Sequence, residues 1–131
     1  MQTRDMSYGV IASKSANVMV ETTSGVGGSD SDLVLDRFQS IWGAAWVPGR
    51  LTITRLHVNF IPSRAGRGMA MMDLNLRDIE QVELAGGRVS KVMGLRTTTH
   101  VVHVRSLGAS GLATEVAQLA EAAKKLPLRR R

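Results

Sequence analysis

The stretch GRLTITRLHVNFIPS, residues 49–63, contains two runs of alternating apolar residues that are out of phase with each other. Side chains of a β-strand alternate between two faces, so one continuous strand cannot bury both runs on the same face. A turn at residues 54–57 removes the conflict by making two antiparallel strands of a hairpin. The sequence therefore predicts a hairpin in which both runs point into one core: Leu51 and Ile53, then Val58 and Phe60.

Other short segments show the alternation or the β-branched residues that are typical of strands. Glycines at 86 and 87 and threonines at 97–99 separate the later ones, as the turns of an antiparallel meander would. These strand candidates are ANVMVET (16–22), MAMMDLNL (69–76), KVMGLR (91–96) and HVVHVRS (100–106).

The period changes to that of a helix near the end of the chain. In SGLATEVAQLAEAAKKLP, residues 110–127, the apolar residues lie on one face and the charged ones on the other. Ser110 is the expected N-cap and Pro127 the expected stop. Such a helix would be roughly 25 Å long, which is enough to cover one open end of a small barrel.

The expected fold is mainly β: a partly open antiparallel barrel of about seven strands, capped by a C-terminal amphipathic helix. Residues 1–32 are expected to be an N-terminal arm and a Gly/Ser-rich linker, since TTSGVGGSDSD has little to bury. The domain itself would span 33–126, and 127–131 would be a basic tail. The segment DLVLDRFQSIW, residues 32–42, is compatible with either a helix or a strand.

Composition excludes several classes of site. A chain of 131 residues can bury roughly two thirds of its unfolded surface without disulfides, and it contains no cysteine. Thiol catalysis and thiolate metal sites are therefore excluded. No apolar run approaches the roughly 20 residues of a membrane span, and the first residues lack the pattern of a signal peptide. We expect a cytoplasmic protein. Thirteen of its seventeen basic residues are Arg, as in GC-rich genomes, which suggests a bacterial source.

Positive charge is concentrated in the later part of the chain. Residues 1–48 carry three basic and five acidic side chains, a net charge of −2, whereas residues 49–131 carry fourteen and six, a net charge of +8. Such asymmetry indicates an anionic partner, although plain solubility explains basic surfaces equally well.

The hairpin string G-R-L-T-I-T-R-L-H-V-N-F-I-P resembles the signature of GRAM domains, members of the pleckstrin-homology-like superfamily. The likeness continues through DLNLRDIEQVEL to the terminal helix, over about residues 33–126. It departs at the turn, which lacks the usual Asn or Gly, and at Asn59, where an apolar residue is usual. The resemblance implies a seven-stranded barrel capped by a helix, and makes the ambiguous segment the first barrel strand.

Residues that could carry catalysis are present but are not grouped in the sequence. His100 and His103 are three residues apart on a predicted strand, so their rings would lie on opposite faces and could not share a metal ion. The carboxylates Asp73, Asp78 and Glu83 have no nucleophile motif beside them. We expect no enzymatic activity, no metal and no cofactor.

The first functional hypothesis is a docking module that binds an anionic membrane surface or lipid headgroup, peripherally and without catalysis. The basic loops around the hairpin would bind the headgroup, and the basic C-terminus would assist electrostatically. The residues assigned to these two roles are Arg50, Arg55, Arg64 and Arg67 for headgroup binding, and Lys124, Lys125, Arg129, Arg130 and Arg131 for the tail.

The alternative hypothesis is a protein–protein interaction domain that forms homo-oligomers. In it, the N-terminal arm around Val18 and Val20 would pair with an exposed strand edge of another copy. Nucleic acid is not an expected partner, because one Tyr and two Phe leave few platforms on which bases could stack.

Overall fold

The computed structural model describes residues 10–63, 71–86 and 91–125, and seven strands within these ranges form one antiparallel sheet. Along the sheet the strand order is β4-β3-β2-β1-β7-β6-β5, so β4 and β5 are the edges of an open sheet. Helix α1 (Asp30–Trp42) connects β1 to β2, and helix α2 (Ala109–Lys125) follows β7. The predicted mainly β class with a C-terminal helix is confirmed. The strands are β1 (Val10–Thr22), β2 (Val47–Thr54), β3 (His57–Pro62), β4 (Met72–Asn75), β5 (Gln81–Gly86), β6 (Lys91–Arg96) and β7 (His100–Arg105).

The hairpin predicted from the change of phase is the pair β2 and β3. Thr54 closes the turn, because its hydroxyl accepts hydrogen bonds from the amides of Leu56 (3.3 Å) and His57 (3.0 Å). The apolar residues of the two strands face each other across the pair and are all buried in the core, as expected: Leu51 opposite Phe60, and Ile53 opposite Val58.

The expected N-terminal arm is wrong for residues 10–22, because these form β1, the central strand of the sheet, while residues 1–9 lie outside the described residues. The first half of β1 pairs with β2, and its second half pairs with β7. Val18 already pairs with β2 on one side and β7 on the other, and Val20 pairs with β7, so this part of the chain is inside the sheet and is not a free arm. The predicted boundary at residue 32 therefore does not separate β1 from the domain. The sequence pattern identified the strand, but it could not show that both of its sides are occupied.

The ambiguous segment is helix α1 and not the first barrel strand that the resemblance implied. Ser29 and Asp32 form a capping box, in which each side chain bonds the backbone of the other. The helix ends at Gly43, whose φ of 72° suits glycine. Leu35 and Phe38 are buried on one face. The last residues assigned to the linker, 30–32, therefore belong to the helix.

Helix α2 covers the sheet as predicted, but it begins two residues earlier than expected. Its first residue is Ala109, so Ser110 is inside the helix and is not its N-cap. At the other end, Arg77 donates a hydrogen bond from Nη1 to the carbonyl of Ala123 (2.8 Å). The expected stop at Pro127 lies outside the described residues. The buried face consists of Ala109, Leu112, Ala113, Val116, Ala120 and Ala123.

Gly49 occupies a position in β2 where the neighbouring strand approaches too closely for a side chain. A Cβ at this position would lie 2.4 Å from the carbonyl oxygen of Ile61 and 2.8 Å from the Cα of Pro62. Both are backbone atoms of the neighbouring strand β3, and they cannot move without disturbing the pairing of β2 with β3. Gly111 is the opposite case, since a Cβ there would meet nothing within 4 Å.

We therefore expect Gly49→Ala and Gly111→Ala to change stability in opposite directions. The first should lower the free energy of unfolding by at least about 1 kcal/mol through overpacking. The second should raise it by about 0.4–1 kcal/mol, because alanine restricts the unfolded chain and fits a helix. Urea unfolding of both variants beside the wild type measures the difference. A stable Gly49→Ala variant would contradict the close approach of β2 and β3.

Candidate functional site

An open groove of about 650 Å³ lies where β1 changes its pairing partner. Within β1, Asn17 faces Pro48 of β2 on one side and Arg105 of β7 on the other. β2 pairs with the part of β1 before this point and β7 with the part after it, and the first residues of α2 complete the wall. Residues of five elements and their connections therefore meet here, among them Ser63, Lys91 and Ser110.

The charged side chains that line this groove are cationic. Lys91 and Arg105 are both in the lining, which contains no Asp or Glu. A third cation lies beside it, because Nζ of Lys14 is 3.5 Å from the carbonyl oxygen of Leu107 in the wall. None of the ion pairs among the described residues involves Lys14, Lys91 or Arg105. The groove therefore presents positive charge that no described carboxylate neutralises.

Arg105 is held in place by an aromatic ring. Its guanidinium carbon lies 4.2 Å from the centre of the Trp46 ring, which is the geometry of a cation–π contact. Stacking leaves the edge of the guanidinium, where the N–H groups are, available for hydrogen bonds. This arrangement suits the planar, two-point recognition of phosphate or carboxylate oxygens.

The start of α2 adds to the positive potential of the groove. Gly108 precedes the helix with a φ of 72°, and its carbonyl accepts the first helical hydrogen bond, from the amide of Leu112 (3.0 Å). Amides before that bond have no acceptor within the helix. The first turn contains no acidic residue to offset the helix dipole. Ala109 and Ser110, both in the groove wall, belong to this turn.

Two of the four arginines selected from the sequence are described, and the structure does not bring these two together. Arg50 is next to the groove residue Gly49, and its Nη1 donates a hydrogen bond to the hydroxyl of Ser13 (3.0 Å). Arg55 is at the tip of the hairpin, five residues further along, roughly 16 Å away at the rise of a strand. Arg64 and Arg67 lie outside the described residues.

The basic residues of the tail are also remote from the groove where they are described. Lys124 and Lys125 are exposed in the last turn of α2, whereas the groove meets the first turn of the same helix. A 17-residue helix separates its ends by roughly 25 Å. Arg129, Arg130 and Arg131 lie outside the described residues.

Sequence analysis missed the three cations of the groove. Lys14, Lys91 and Arg105 belong to β1, β6 and β7, and only the pairing of these strands brings them together. The nearest sequence signal is Arg105 at the end of a strand candidate, directly before the loop that leads to the terminal helix. That signal does not distinguish Arg105 from any solvated arginine.

A second cluster of polar residues joins α1 to the turn between β6 and β7. Oδ1 of Asp32 lies within hydrogen-bond distance of the Thr97 hydroxyl (2.6 Å), the Thr99 amide (3.0 Å) and Nδ1 of His100 (2.8 Å). Its Oδ2 accepts bonds from the amide and the hydroxyl of Ser29, both at 2.8 Å. The Asp32 side chain is only 4% exposed.

The ring of His100 lies between two carboxylates of α1, those of Asp32 and Asp36. His100 is buried, and its second ring nitrogen, Nε2, lies 2.9 Å from the carboxylate of Asp36. Both ring nitrogens thus lie within hydrogen-bond distance of carboxylates inside the protein. His103 instead contacts Glu21 (2.7 Å), and the two histidine rings are apart, as predicted. No group of three metal-binding side chains is arranged for an ion within the described ranges.

Asp32 is charged over the whole physiological range. Burial alone would raise the pKa of its carboxyl, but hydrogen bonds from Thr97, His100, Ser29 and Thr99 outweigh this effect and hold the pKa well below its usual value. Each bond favours the ionised form, because each places a donor against the carboxylate. The cluster therefore stabilises the fold through the charged state of Asp32.

Comparison with known proteins identifies the fold and no family. No protein-family model matches the sequence, and no curated protein matches it. Among solved structures, a chain of the 8S snRNP assembly intermediate aligns over 99% of this chain and 93% of its own, with 8% identity and a TM-score of 0.50. The C-terminal domain of an unknown protein from Leishmania infantum aligns over 88% of both chains, with 12% identity and a TM-score of 0.49.

We predict that Asp32→Asn destabilises the protein by about 3 kcal/mol at pH 7, because the amide presents a donor to groups that already donate. A carboxyl whose pKa is lowered by folding contributes stability above its unfolded pKa of about 3.9, and this contribution is lost as the pH falls below that value. The difference between wild type and variant in urea unfolding should therefore shrink between pH 4 and pH 3.

Asp30→Asn is the matched control, because Asp30 is exposed in the same first turn. Loss of its interaction with the helix dipole should cost less than about 1 kcal/mol. Equal effects of the two variants would contradict the role assigned to Asp32.

Proposed function

We propose that this protein is a non-enzymatic docking module that binds an anionic membrane surface by taking a lipid headgroup into the groove. The observation that supports this most directly is the gathering of Lys14, Lys91 and Arg105 around one cavity without an acidic residue in its lining. Cations placed in this way repel each other and lower their energy by binding an anion. The sequence-selected Arg50 lies at the edge of the same groove and contributes to the same field.

The strength of such an attraction indicates a reversible contact. Each basic residue near an anionic bilayer contributes about 1 kcal/mol, so these four together contribute at most about 4 kcal/mol. None of the described helices is both long enough and apolar enough to cross a bilayer. The proposed function is that of a cytoplasmic protein that associates with the membrane peripherally.

The resemblance to GRAM domains supports the proposal by analogy only, since one fold serves many functions. The seven-stranded sheet and the terminal helix agree with that resemblance, whereas α1 departs from it. The matching chain of the 8S snRNP assembly intermediate is only 8% identical, so it bears on the fold alone. The competing hypothesis is that the protein binds another protein or a second copy of itself. Failure to bind vesicles in the experiment below would favour that hypothesis.

We predict that reversing the charges of the groove, in the double variant Lys91→Glu/Arg105→Glu, strongly weakens binding to anionic vesicles. The test is co-sedimentation with vesicles of phosphatidylcholine alone and with 30% phosphatidylserine, at 50 and 300 mM NaCl. The wild type should bind only the anionic vesicles, and less at high salt because exposed charges are screened. The double variant should bind at least tenfold more weakly, as the loss of four charge units near the surface implies.

The matched control is Arg55→Glu/Lys124→Glu, which changes the net charge equally at exposed positions away from the groove. This control should retain binding within about threefold. Equal loss in both double variants would assign binding to net charge and not to the groove. Failure of the wild type to bind either vesicle would refute the membrane proposal and leave a protein partner as the remaining hypothesis.

A further inference from the structure

Leu107 is an exposed apolar side chain in the wall of the cationic groove. Its exposed fraction is 90%, and it belongs to the turn between β7 and α2. Single apolar residues are common on protein surfaces and need no explanation in general. Leu107 differs from other exposed apolar residues by its position, because it follows Arg105 by two residues and lines the same groove as Lys91.

The turn that carries Leu107 is fixed on both sides. Nζ of Lys14 lies 3.5 Å from its carbonyl oxygen, and the next residue, Gly108, starts α2 by accepting a hydrogen bond from Leu112. Before it, Ser106 donates a hydrogen bond to the carbonyl of Ser15 in β1 (3.0 Å). The backbone is therefore held while the side chain projects into solvent. An apolar group held outward in this way needs no further ordering before it is buried by a partner.

We propose that Leu107 inserts into the apolar layer of the bilayer when the groove binds an anionic headgroup. This inference rests on the proposed function, and it adds the orientation in which the protein docks. A bilayer presents anionic headgroups and hydrocarbon within a few ångströms of each other, so one rim can satisfy both the cations and the leucine. The charges around Leu107 favour a bilayer over an apolar pocket of a protein. The groove lining contains no carboxylate, and its positive groups are Lys91, Arg105 and the first turn of α2.

The proposed orientation places the loop between β7 and α2 against the membrane. Trp46, which stacks on Arg105, would then lie near the headgroups, a depth at which tryptophan is commonly found in membrane proteins. The turn after β1 would point away from the membrane. This turn carries Val26, which is 89% exposed and lies near the opposite end of β7, because Thr22 pairs with His100.

Val26 provides the matched control for a substitution test. Leu107→Ala should weaken binding to vesicles with 30% phosphatidylserine about tenfold, the change expected from removing part of a buried aliphatic side chain. Val26→Ala should leave binding within about twofold. The slope of affinity against salt should be the same for Leu107→Ala and the wild type, because insertion is not electrostatic, whereas substitutions of Lys91 and Arg105 should reduce that slope.

Site-specific labelling tests insertion directly, because the chain has no cysteine of its own. Leu107→Cys and Val26→Cys, each labelled with an environment-sensitive nitrobenzoxadiazole dye, would be mixed with the same vesicles. The dye at 107 should brighten and be quenched by nitroxide-labelled lipid, and the dye at 26 should do neither. Both labelled proteins must retain the wild-type melting temperature.

The outcomes separate the two proposals. If the wild type sediments with anionic vesicles but Leu107→Ala binds equally well and the dye at 107 is not quenched, insertion is refuted and groove binding stands. If the wild type does not bind anionic vesicles, both proposals are refuted. If Leu107→Ala binds more weakly but the dye at 107 stays unquenched, Leu107 shapes the groove and does not enter the bilayer, which also overturns the inference.

Discussion

The buried carboxylate of Asp32 is the contact on which the arrangement of helix and sheet depends. It lies in the first turn of α1, where it completes the capping box with Ser29. Its Oδ1 also binds Thr97, Thr99 and His100, which belong to the turn before β7 and to the start of that strand. One charged group thus closes the helix and attaches it to a part of the chain more than sixty residues away. A neutral side chain could not satisfy so many donors at once, and this requirement selects an aspartate whose charge persists in the folded protein.

The same attachment influences the groove through β7. This strand begins at His100, inside the Asp32 cluster, and ends at Arg105, inside the groove. The connection from α1 to β2 carries Trp46, against which Arg105 stacks. The register of β7 beside β1 therefore decides whether the guanidinium meets the ring. The Asp32 cluster and the proposed binding groove lie at opposite ends of this strand, so a substitution at the groove need not alter the buried cluster.

Local patterns predicted those parts of the fold that local interactions determine. The change of phase at 54–57 identified the hairpin, because its two strands are adjacent in the chain, and the apolar stripe identified α2. Residues 32–42 could not be assigned in this way, because their apolar spacing suited a helix and a strand equally well. The role of β1 could not be read in this way, since nothing local shows that both of its edges are paired. The groove was missed for the same reason, because Lys14, Lys91 and Arg105 meet only through pairing between distant strands.

Unneutralised charge in the groove has a cost in the unbound protein. Like charges gathered at one place repel each other, and folding brings these three closer than they are in the extended chain. The fold tolerates this repulsion because its stability comes from elsewhere, from the continuous apolar core and the Asp32 cluster. A bound anion would reduce this repulsion in addition to making its own contacts. The free energy of binding would therefore include the loss of a repulsion that is present in the unbound protein. The exposed Leu107 beside the groove follows the same logic, since it too is unfavourably placed in water and favourably placed against a partner with an apolar layer. The groove cations repel each other, and Leu107 is exposed to water. An anionic bilayer would reduce both unfavourable terms, because its negative headgroups lie directly above hydrocarbon.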